Sequence, residues 1–266
     1  MYLEDLADQH LAWATRLAHR WQIGARLQDH GGVQLHQGAL PIPAPFMNTM
    51  IRLDPTLAAA DALAEARKFF GGHSSPFAPI TFSRSDADLA ALLQAQGFQL
   101  QADLAVMVAD RPMQAPALAA PWHLELFEGR QCKPGEPHAT LPGFVDCCAE
   151  AYASLGLPAF MTPHFFGQAA AVTCPEVSLV LARTGDASPA AVAMVLHTGE
   201  MAGLYWVATR EAARGQGLAA ACTVAATNLA LERGARAVAL QASPMGDPVY
   251  RRLGWRETGR IQRWSS

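Results

Sequence analysis

The sequence predicts an α+β chain of two domains in α/β/α layers, each a mixed, mainly antiparallel sheet flanked by helices. Three observations carry this. Three apolar runs, Val177 to Ala182, Ala190 to His197 and Ala202 to Ala208, are separated by Gly185-Asp186 and Gly199-Glu200 and read as an antiparallel meander. An Ala-rich stretch, Gly215 to Arg233, follows across a glycine-arginine turn and reads as a helix. The first hundred residues repeat a similar order of strands and helices more faintly.

The 266 residues suffice for one large or two ordinary domains. Hydrophobic residues make up 51% and charged ones 16%, which predicts a packed core rather than disorder. A formal net charge of −3 argues against a general nucleic-acid partner. Glu4, Asp5 and Asp8 stand where a signal peptide would be basic, and no uninterrupted apolar run reaches membrane-spanning length. A cytoplasmic chain without a membrane partner is the expectation. Cys132, Cys147, Cys148, Cys174 and Cys222 form no CxxC pair and no metal spacing with His, so reduced thiols and no metal are expected. Adjacent Cys147 and Cys148 read as small core residues on a helix.

Taken in order, residues 1–30 read as helical, with Leu3, Leu6, His10, Leu17 and Trp21 packing on the first domain. Met47 to Leu53 reads as a strand, and Asp54-Pro55 starts a helix to about Phe70. Ile80 to Ser83 is strand-like, and Ser85 with Asp88 makes a capping box for a helix to Gln96. Gly97-Phe98 and a last strand, Leu104 to Val108, close a domain over residues 1–110. Pro112, Pro116 and Pro121 mark an extended linker over residues 111–121.

The second domain, residues 122–266, opens with a strand at His123 to Phe127 and a Pro- and Gly-rich loop, Cys132 to His138. Helices follow at Gly143 to Ser154 and His164 to Ala171, then the meander. In the Ala-rich helix, Leu218, Cys222, Ala225 and Leu229 form the face expected on the sheet. Gln216, Ala220, Thr223 and Thr227 form another. Gly234 stands at the C′ position, Val238 to Ala242 is a strand, and Asp247-Pro248 opens a short helix that carries Tyr250 and ends at Gly254. A closing hairpin, Trp255 to Glu257 and Gly259 to Trp264, completes the order.

The chemistry concentrates in Arg214-Gly215-Gln216-Gly217-Leu218-Ala219. The first N–H groups of a helix lack internal partners, and its dipole favours negative charge there. Two residues without Cβ let an anion approach the backbone, and Arg214 adds a positive charge. Downstream stands Val249-Tyr250-Arg251-Arg252-Leu253-Gly254-Trp255. The two motifs, in this order and context, resemble the GNAT acetyltransferase superfamily over roughly Trp122 to Trp264. Glu211, where Pro is common, and Ser243, where Asn often sits, are departures.

The resemblance implies a GNAT-like fold and N-acetyl transfer from the co-substrate acetyl-CoA to a primary amine of a small molecule or peptide. It implies that Val207, Ala208 and Thr209 hold the thioester arm, and that Arg214, Gly215, Gln216, Gly217, Leu218 and Ala219 cradle the pyrophosphate. Ser243 would bond to the cofactor arm, and Tyr250 would act as general acid toward the leaving sulfur. The first domain then reads as a degenerate copy, with Leu93 in the place of Tyr250 and no glycine-arginine loop after Leu53. No general base is identified; Glu150 and Glu200 read as surface carboxylates. Phe160, His164, Phe165, Phe166 and Trp206 lie toward the expected acceptor side, either lining it or packing in the core. His197 is a further candidate substrate ligand. Arg251 and Arg252 either reach the cofactor's 3′-phosphate or lie on an exposed helix face. Two alternatives stay open: a transferase using another acyl or aminoacyl donor, and a non-catalytic acyl-CoA-binding sensor.

Overall fold

The computed structural model describes residues 2–38, 47–71, 76–133 and 135–265. Pro134, inside the loop expected at Cys132 to His138, and the termini Met1 and Ser266 lie outside the described residues. The N-terminal half supplies strands β1 (Arg26–His30), β2 (Val33–Gln37), β3 (Asn48–Arg52), β4 (Ala78–Phe82) and β5 (Gln99–Ala109). The C-terminal half supplies β6 (Trp122–Glu128), β7 (Val177–Thr184), β8 (Ala191–His197), β9 (Met201–Thr209), β10 (Ala237–Ala242) and β11 (Arg256–Ser265). All join one sheet in the order β1-β2-β3-β4-β11-β5-β10-β9-β8-β7-β6. Only β3–β4 and β9–β10 are parallel.

The order shows that the halves exchange their last strands. β11 lies between β4 and β5, and β5 lies between β10 and β11. β11 runs antiparallel to β5 from Arg256↔Val108 to Ser265↔Gln99. This corrects the closing hairpin expected at Trp255 to Trp264. Thr258 is absorbed as an irregularity between Glu257 and Gly259, and the strand continues because β5 offers a partner along its full length.

Helices cover both faces. They are α1 (Leu3–Arg20), α2 (Ala59–Gly71), α3 (Ala87–Ala95), α4 (Thr140–Ala153), α5 (Met161–Phe165), α6 (Ala169–Val172), α7 (Leu218–Glu232) and α8 (Asp247–Arg252). On one face, Leu6 and Leu11 of α1 pack with Ile51, Ile80, Val106, Met201 and Ile261. Phe144, Cys147 and Cys148 of α4 pack with Leu179, Leu181, Val192 and Met194. On the other, Leu218, Cys222, Ala226 and Ala230 of α7 meet Val180, Ala193, Val195 and Leu240. Leu63, Phe70, Leu89 and Leu93 of α2 and α3 enclose Leu35, Met50, Phe98 and Trp264. The alternation of strand residues between two cores makes the α/β/α layers.

Several local expectations change for physical reasons. The first helix stops at Arg20, residues Arg26–His30 form β1, and α1 also packs on Met201, Ala237 and Ala239 of the other half. α7 starts at Leu218, because Gly215 and Gly217 sit at φ +79° and +77°. Its buried row continues through Ala226 and Ala230 rather than Ala225 and Leu229, and Thr223 and Thr227 are buried as well. Asp54 accepts the Thr56 N–H at 2.9 Å in a local turn, and α2 begins only at Ala59. The capping box does not form: Arg52 takes Asp86 at 2.9 Å and Asp88 at 2.6 Å. His164 to Ala171 divides between the short helices α5 and α6. The linker residue Met113 is tied to α7, donating its N–H to Asn228 Oδ1 at 2.8 Å and accepting from Nδ2 at 2.9 Å.

Candidate active site

β9 pairs with β10 over only three positions, Met201↔Ala237, Ala202↔Val238 and Gly203↔Ala239. On its other side the register to β8 slips. Val192 faces Ala208 and Met194 faces Tyr205, so Trp206 and Val207 together oppose Ala193. This is a β-bulge, and Trp206 carries its strain at φ +50°, the one non-glycine at positive φ among the described residues. Tight packing holds it there: Phe166, Phe165 and Tyr152 lie 4.9, 5.4 and 5.5 Å away by ring centroids. Beyond Gly203 and Ala239 the two strands part and leave a V-shaped opening.

A cleft of about 630 Å³ fills that opening. Leu204 to Val207 and Thr209 line one arm, Leu240, Gln241 and Ser243 the other, and the start of α7 its end. Gly217 caps α7 without any side-chain hydrogen bond, and the Ala221 N–H is the one that reaches its carbonyl, at 3.0 Å. The N–H groups of Leu218, Ala219 and Ala220 therefore have no helical partner, and all three residues line the cleft. Nothing lies within 4 Å of an ideal Cβ on Gly215 or Gly217, so the approach to this backbone is open. Arg214 lines the same end, where it donates to the Ala151 carbonyl at 3.3 Å and to Ser154 Oγ. Thr209 and Thr223 bring to the walls buried hydroxyls that have no partner among the described residues. The donor set — free backbone N–H groups, hydroxyls and a guanidinium — suits a polyanion with an extended polar arm.

Tyr250 closes the cleft from α8. Its ring packs edge-on to Trp255, 6.0 Å between centroids. A Cβ on Gly246 would lie 2.7 Å from Tyr250 Cε2, so the glycine permits this close approach. Burial pushes the phenol up to about 12, and it is protonated at neutral pH. Ser243 lines the cleft while its Oγ accepts the Gly246 N–H at 3.1 Å. Arg252 lines it too, whereas Arg251 is held by Asp247 at 2.7 Å and by Glu257.

The remaining sequence-derived residues divide. Val207, Thr209, Leu218 and Ala219 line the cleft, and the Val207 carbonyl accepts the Tyr152 hydroxyl at 3.2 Å. Ala208 is buried in the core opposite Val192. The Gln216 side chain turns away, accepting the Trp122 indole N–H at 2.9 Å.

A second cleft of about 770 Å³ adjoins the first, sharing Tyr152, Leu155, Tyr205, Trp206 and Gln241. Its far wall is α1, with Leu11, Ala14, Thr15 and His19, and its floor includes Thr49, Ile80 and Arg263. Tyr205 is fixed from behind by His10, whose Nε2 lies 3.0 Å from the Leu196 carbonyl and whose Nδ1 lies 3.0 Å from the Tyr205 hydroxyl. A carbonyl only accepts, so Nε2 carries the proton and the phenol donates to Nδ1. Burial lowers His10 to about 4 and raises Tyr205, which keeps both neutral. Both nitrogens of His19 face carbonyls, Thr15 at 2.8 Å and Met47 at 3.2 Å, so neither is turned to the cleft. Glu150 pairs with Arg210, and Glu200 pairs with Arg236 at 3.2 Å; neither lines a cleft. Of the aromatic cluster, Phe165 lines the second cleft, Phe166 is core, and Phe160 and His164 are exposed. His197 bonds to Ser178 Oγ at 3.1 Å, outside both clefts.

Tyr152, Tyr205, Gln241, Arg263 and the α1 wall were not legible as site residues. Arg263 fell within the second strand of the expected closing hairpin, with no role assigned to it. The strand exchange places it between Ile80 of β4 and Ala102 of β5. Among the described residues, no group of His, Cys, Asp and Glu could hold a metal ion, and no helix is long and apolar enough to cross a membrane.

No family model matches the chain, and no curated protein sequence does. Solved structures do. The chain is similar to a GCN5-related N-acetyltransferase from Kribbella flavida, with 20% identity, TM-score 0.69 and coverage of 98% of this chain and 95% of that one. A GCN5-related N-acetyltransferase from Sphaerobacter thermophilus gives 16% identity, TM-score 0.64 and coverage of 95% and 85%. A tandem GNAT protein from the clavulanic acid biosynthesis pathway gives 15% identity, TM-score 0.63 and coverage of 98% and 93%. Over nearly its whole length, the chain has the fold of the GNAT acetyltransferases, in the form seen in a tandem GNAT protein.

Proposed function

We propose that the protein transfers an acyl group, acetyl in the first instance, from acyl-coenzyme A to an amine. The observation that carries this reading is the meeting of two clefts at the β9 bulge, one of which ends at the uncapped start of α7. The pyrophosphate binds the free N–H groups of Leu218 to Ala220, with Arg214 at the rim. The pantetheine arm lies in the V between β9 and β10, and the thioester reaches the bulge near Trp206 and Val207. The amine enters from the second cleft, attacks the thioester carbon, and the carbon–sulfur bond breaks.

Tyr250 stabilises the leaving sulfur. A phenol near 12 is a weaker acid than a free thiol, about 8.5. It therefore acts first as a hydrogen-bond donor to the thiolate, and the proton that the nitrogen loses completes the thiol. No carboxylate lines either cleft among the described residues, so solvent takes the proton of the arriving ammonium before attack, and the amine reacts in its neutral form.

We assign the donor site to residues 122–266 and a share of the acceptor wall to residues 1–110. Among its described residues the N-terminal half offers no counterpart of the donor cleft: at the end of β3, Arg52 is buried and bonded to Asp86, Asp88 and the Leu57 carbonyl. The test is release of coenzyme A thiol from acetyl-CoA across a panel of amines. Amine-dependent release supports transfer; tight acetyl-CoA binding without release under any amine supports a non-catalytic acyl-CoA module.

A further inference from the structure

Apolar side chains from three parts of the chain meet in the acceptor cleft. Leu11 comes from α1, Ile80 from β4, and Leu157, Met161, Phe165 and Trp206 from the C-terminal half. The apolar character continues to the surface. Leu155, which lines both clefts, is 51% exposed. Ile23 and Phe160, each next in sequence to a lining residue, are 71% and 63% exposed.

The polar part of the lining is engaged or uncharged. Thr15 Oγ1 donates to the Leu11 carbonyl at 2.8 Å, Thr49 Oγ1 lies 3.0 Å from His36 Nδ1, and both His19 nitrogens face carbonyls. Gln22 and Gln241 carry neutral amides. Arg263 is already engaged within the protein, so recognition falls to the remainder of the wall. No Asp or Glu lines the cleft among the described residues, and none of the residues outside them is acidic.

A charge carried into such a wall loses its water and finds no opposite charge in return. The reacting ammonium escapes this by giving up its proton, and desolvation favours its neutral form. A second charge elsewhere on the acceptor would have to be buried or neutralised as well. An uncharged hydrocarbon body gains from the same wall with every group it buries. The volume of about 770 Å³ leaves room for a body of many carbons.

We propose that the acceptor is a monoamine, an amine on an uncharged apolar body that carries no second charge. This rests on the acyl-transfer reading for its reaction, though not for its binding.

The test gives the intact protein acetyl-CoA and five matched amines: butylamine, hexylamine, octylamine, 1,8-diaminooctane and 8-aminooctanoate. From butylamine to octylamine, kcat/KM is expected to rise about 4-fold per added CH₂, the equivalent of about 0.8 kcal/mol. The diamine and the amino acid are expected to fall roughly 100-fold or more below octylamine, because each brings a charge to the apolar wall. Leu157→Asp, at a half-buried loop position, is expected to narrow the gap between octylamine and the diamine by about 10-fold. Leu157→Asn, which adds no charge, should narrow it far less. Rates that do not rise with chain length, or a diamine or amino acid that matches octylamine, overturn the inference. Calorimetric titration with octylamine and 1,8-diaminooctane in the absence of acetyl-CoA separates the two readings. Octylamine-selective binding without turnover upholds the inference and contradicts acyl transfer. Turnover confined to the doubly charged amines, with no binding of octylamine, does the reverse. Neither binding nor turnover of any monoamine also overturns the inference.

Discussion

Leu93 and Tyr250 occupy the same place in the two halves of the chain. The Phe98 N–H donates to the Leu93 carbonyl at 3.0 Å, and the Trp255 N–H donates to the Tyr250 carbonyl at 3.1 Å. Between each pair stands a glycine in the left-handed region, Gly97 at φ +86° and Gly254 at φ +91°. The backbone is repeated and the chemistry is not: Leu93 is sealed in a core with Phe77 and Phe98, whereas Tyr250 lines the donor cleft.

Replacing Tyr250 with Phe keeps the ring packed on Trp255 and removes only the hydroxyl. Turnover is expected to fall by about 10²–10⁴-fold, while the calorimetric Kd for acetyl-CoA stays close to its original value. Unchanged kcat, with chemistry rate-limiting, removes Tyr250 from the mechanism.

Gly246 sets the position of that ring. A Cβ there would press to 2.7 Å on Tyr250 Cε2, closer than real contacts allow. Gly246→Ala is therefore expected to lower kcat by about 10-fold or more through a displaced hydroxyl, with a smaller effect on acetyl-CoA affinity. Activity equal to the parent would show that the position of Tyr250 does not matter.

Much of this was legible in local sequence. The meander, the helix α7 and the Tyr250 helix were carried by turn residues and apolar runs, and the structure places Arg214, Gly215, Gly217, Leu218, Ala219 and Tyr250 around one cleft. What was illegible depends on partners far away in the chain. In β11 only Ile261 and Trp264 are buried, three positions apart, and nothing between Trp255 and Trp264 says that its partners lie at Gln99–Ala109 and Ala78–Phe82. The same ignorance hid Arg263 and placed α1 on one half only. The bulge at Trp206 has no signature either, since a Trp at positive φ is dictated by packing and not by propensity.

The strand exchange makes the halves interdependent. A chain shortened to begin at Ala120 loses β4 and β5, leaving one side of β10 and both sides of β11 unpaired. Such edges invite aggregation. The shortened chain is expected to be insoluble, or to lack cooperative thermal unfolding. A soluble monomer that retains the parent's kcat/KM would contradict both the importance of the exchange and the share of α1 in the acceptor wall.

Asp8 makes stability depend on pH. Burial raises its carboxyl to about 7, outweighing Arg84 at 3.9 Å. A carboxyl whose folded pKa exceeds its unfolded value of about 3.9 stabilises the fold in its acid form. That contribution is complete below about pH 4 and is lost as pH rises through about 7. Asp8→Asn mimics the acid form. Its Tm should exceed the parent's at pH 8 by about 2–4 °C, for roughly 1 kcal/mol, and match it near pH 4. An equal difference at both pH values would show that Asp8 does not titrate in this window.

The most direct measurement is calorimetric titration of the intact chain with acetyl-CoA, repeated on Gly217→Val. One site per chain is expected, because the glycine-flanked start of α7 lines a cleft in the C-terminal half, whereas Arg52 with its carboxylates fills the corresponding place in the other. Gly217 holds φ +77°, which a β-branched residue adopts only with strain, and a Val side chain would stand in the open approach to the helix N-terminus. The folded variant should therefore lose binding. No heat of binding by the parent, or undiminished affinity in a folded Gly217→Val protein, would contradict the donor site at the start of α7 and the acyl-transfer reading built on it.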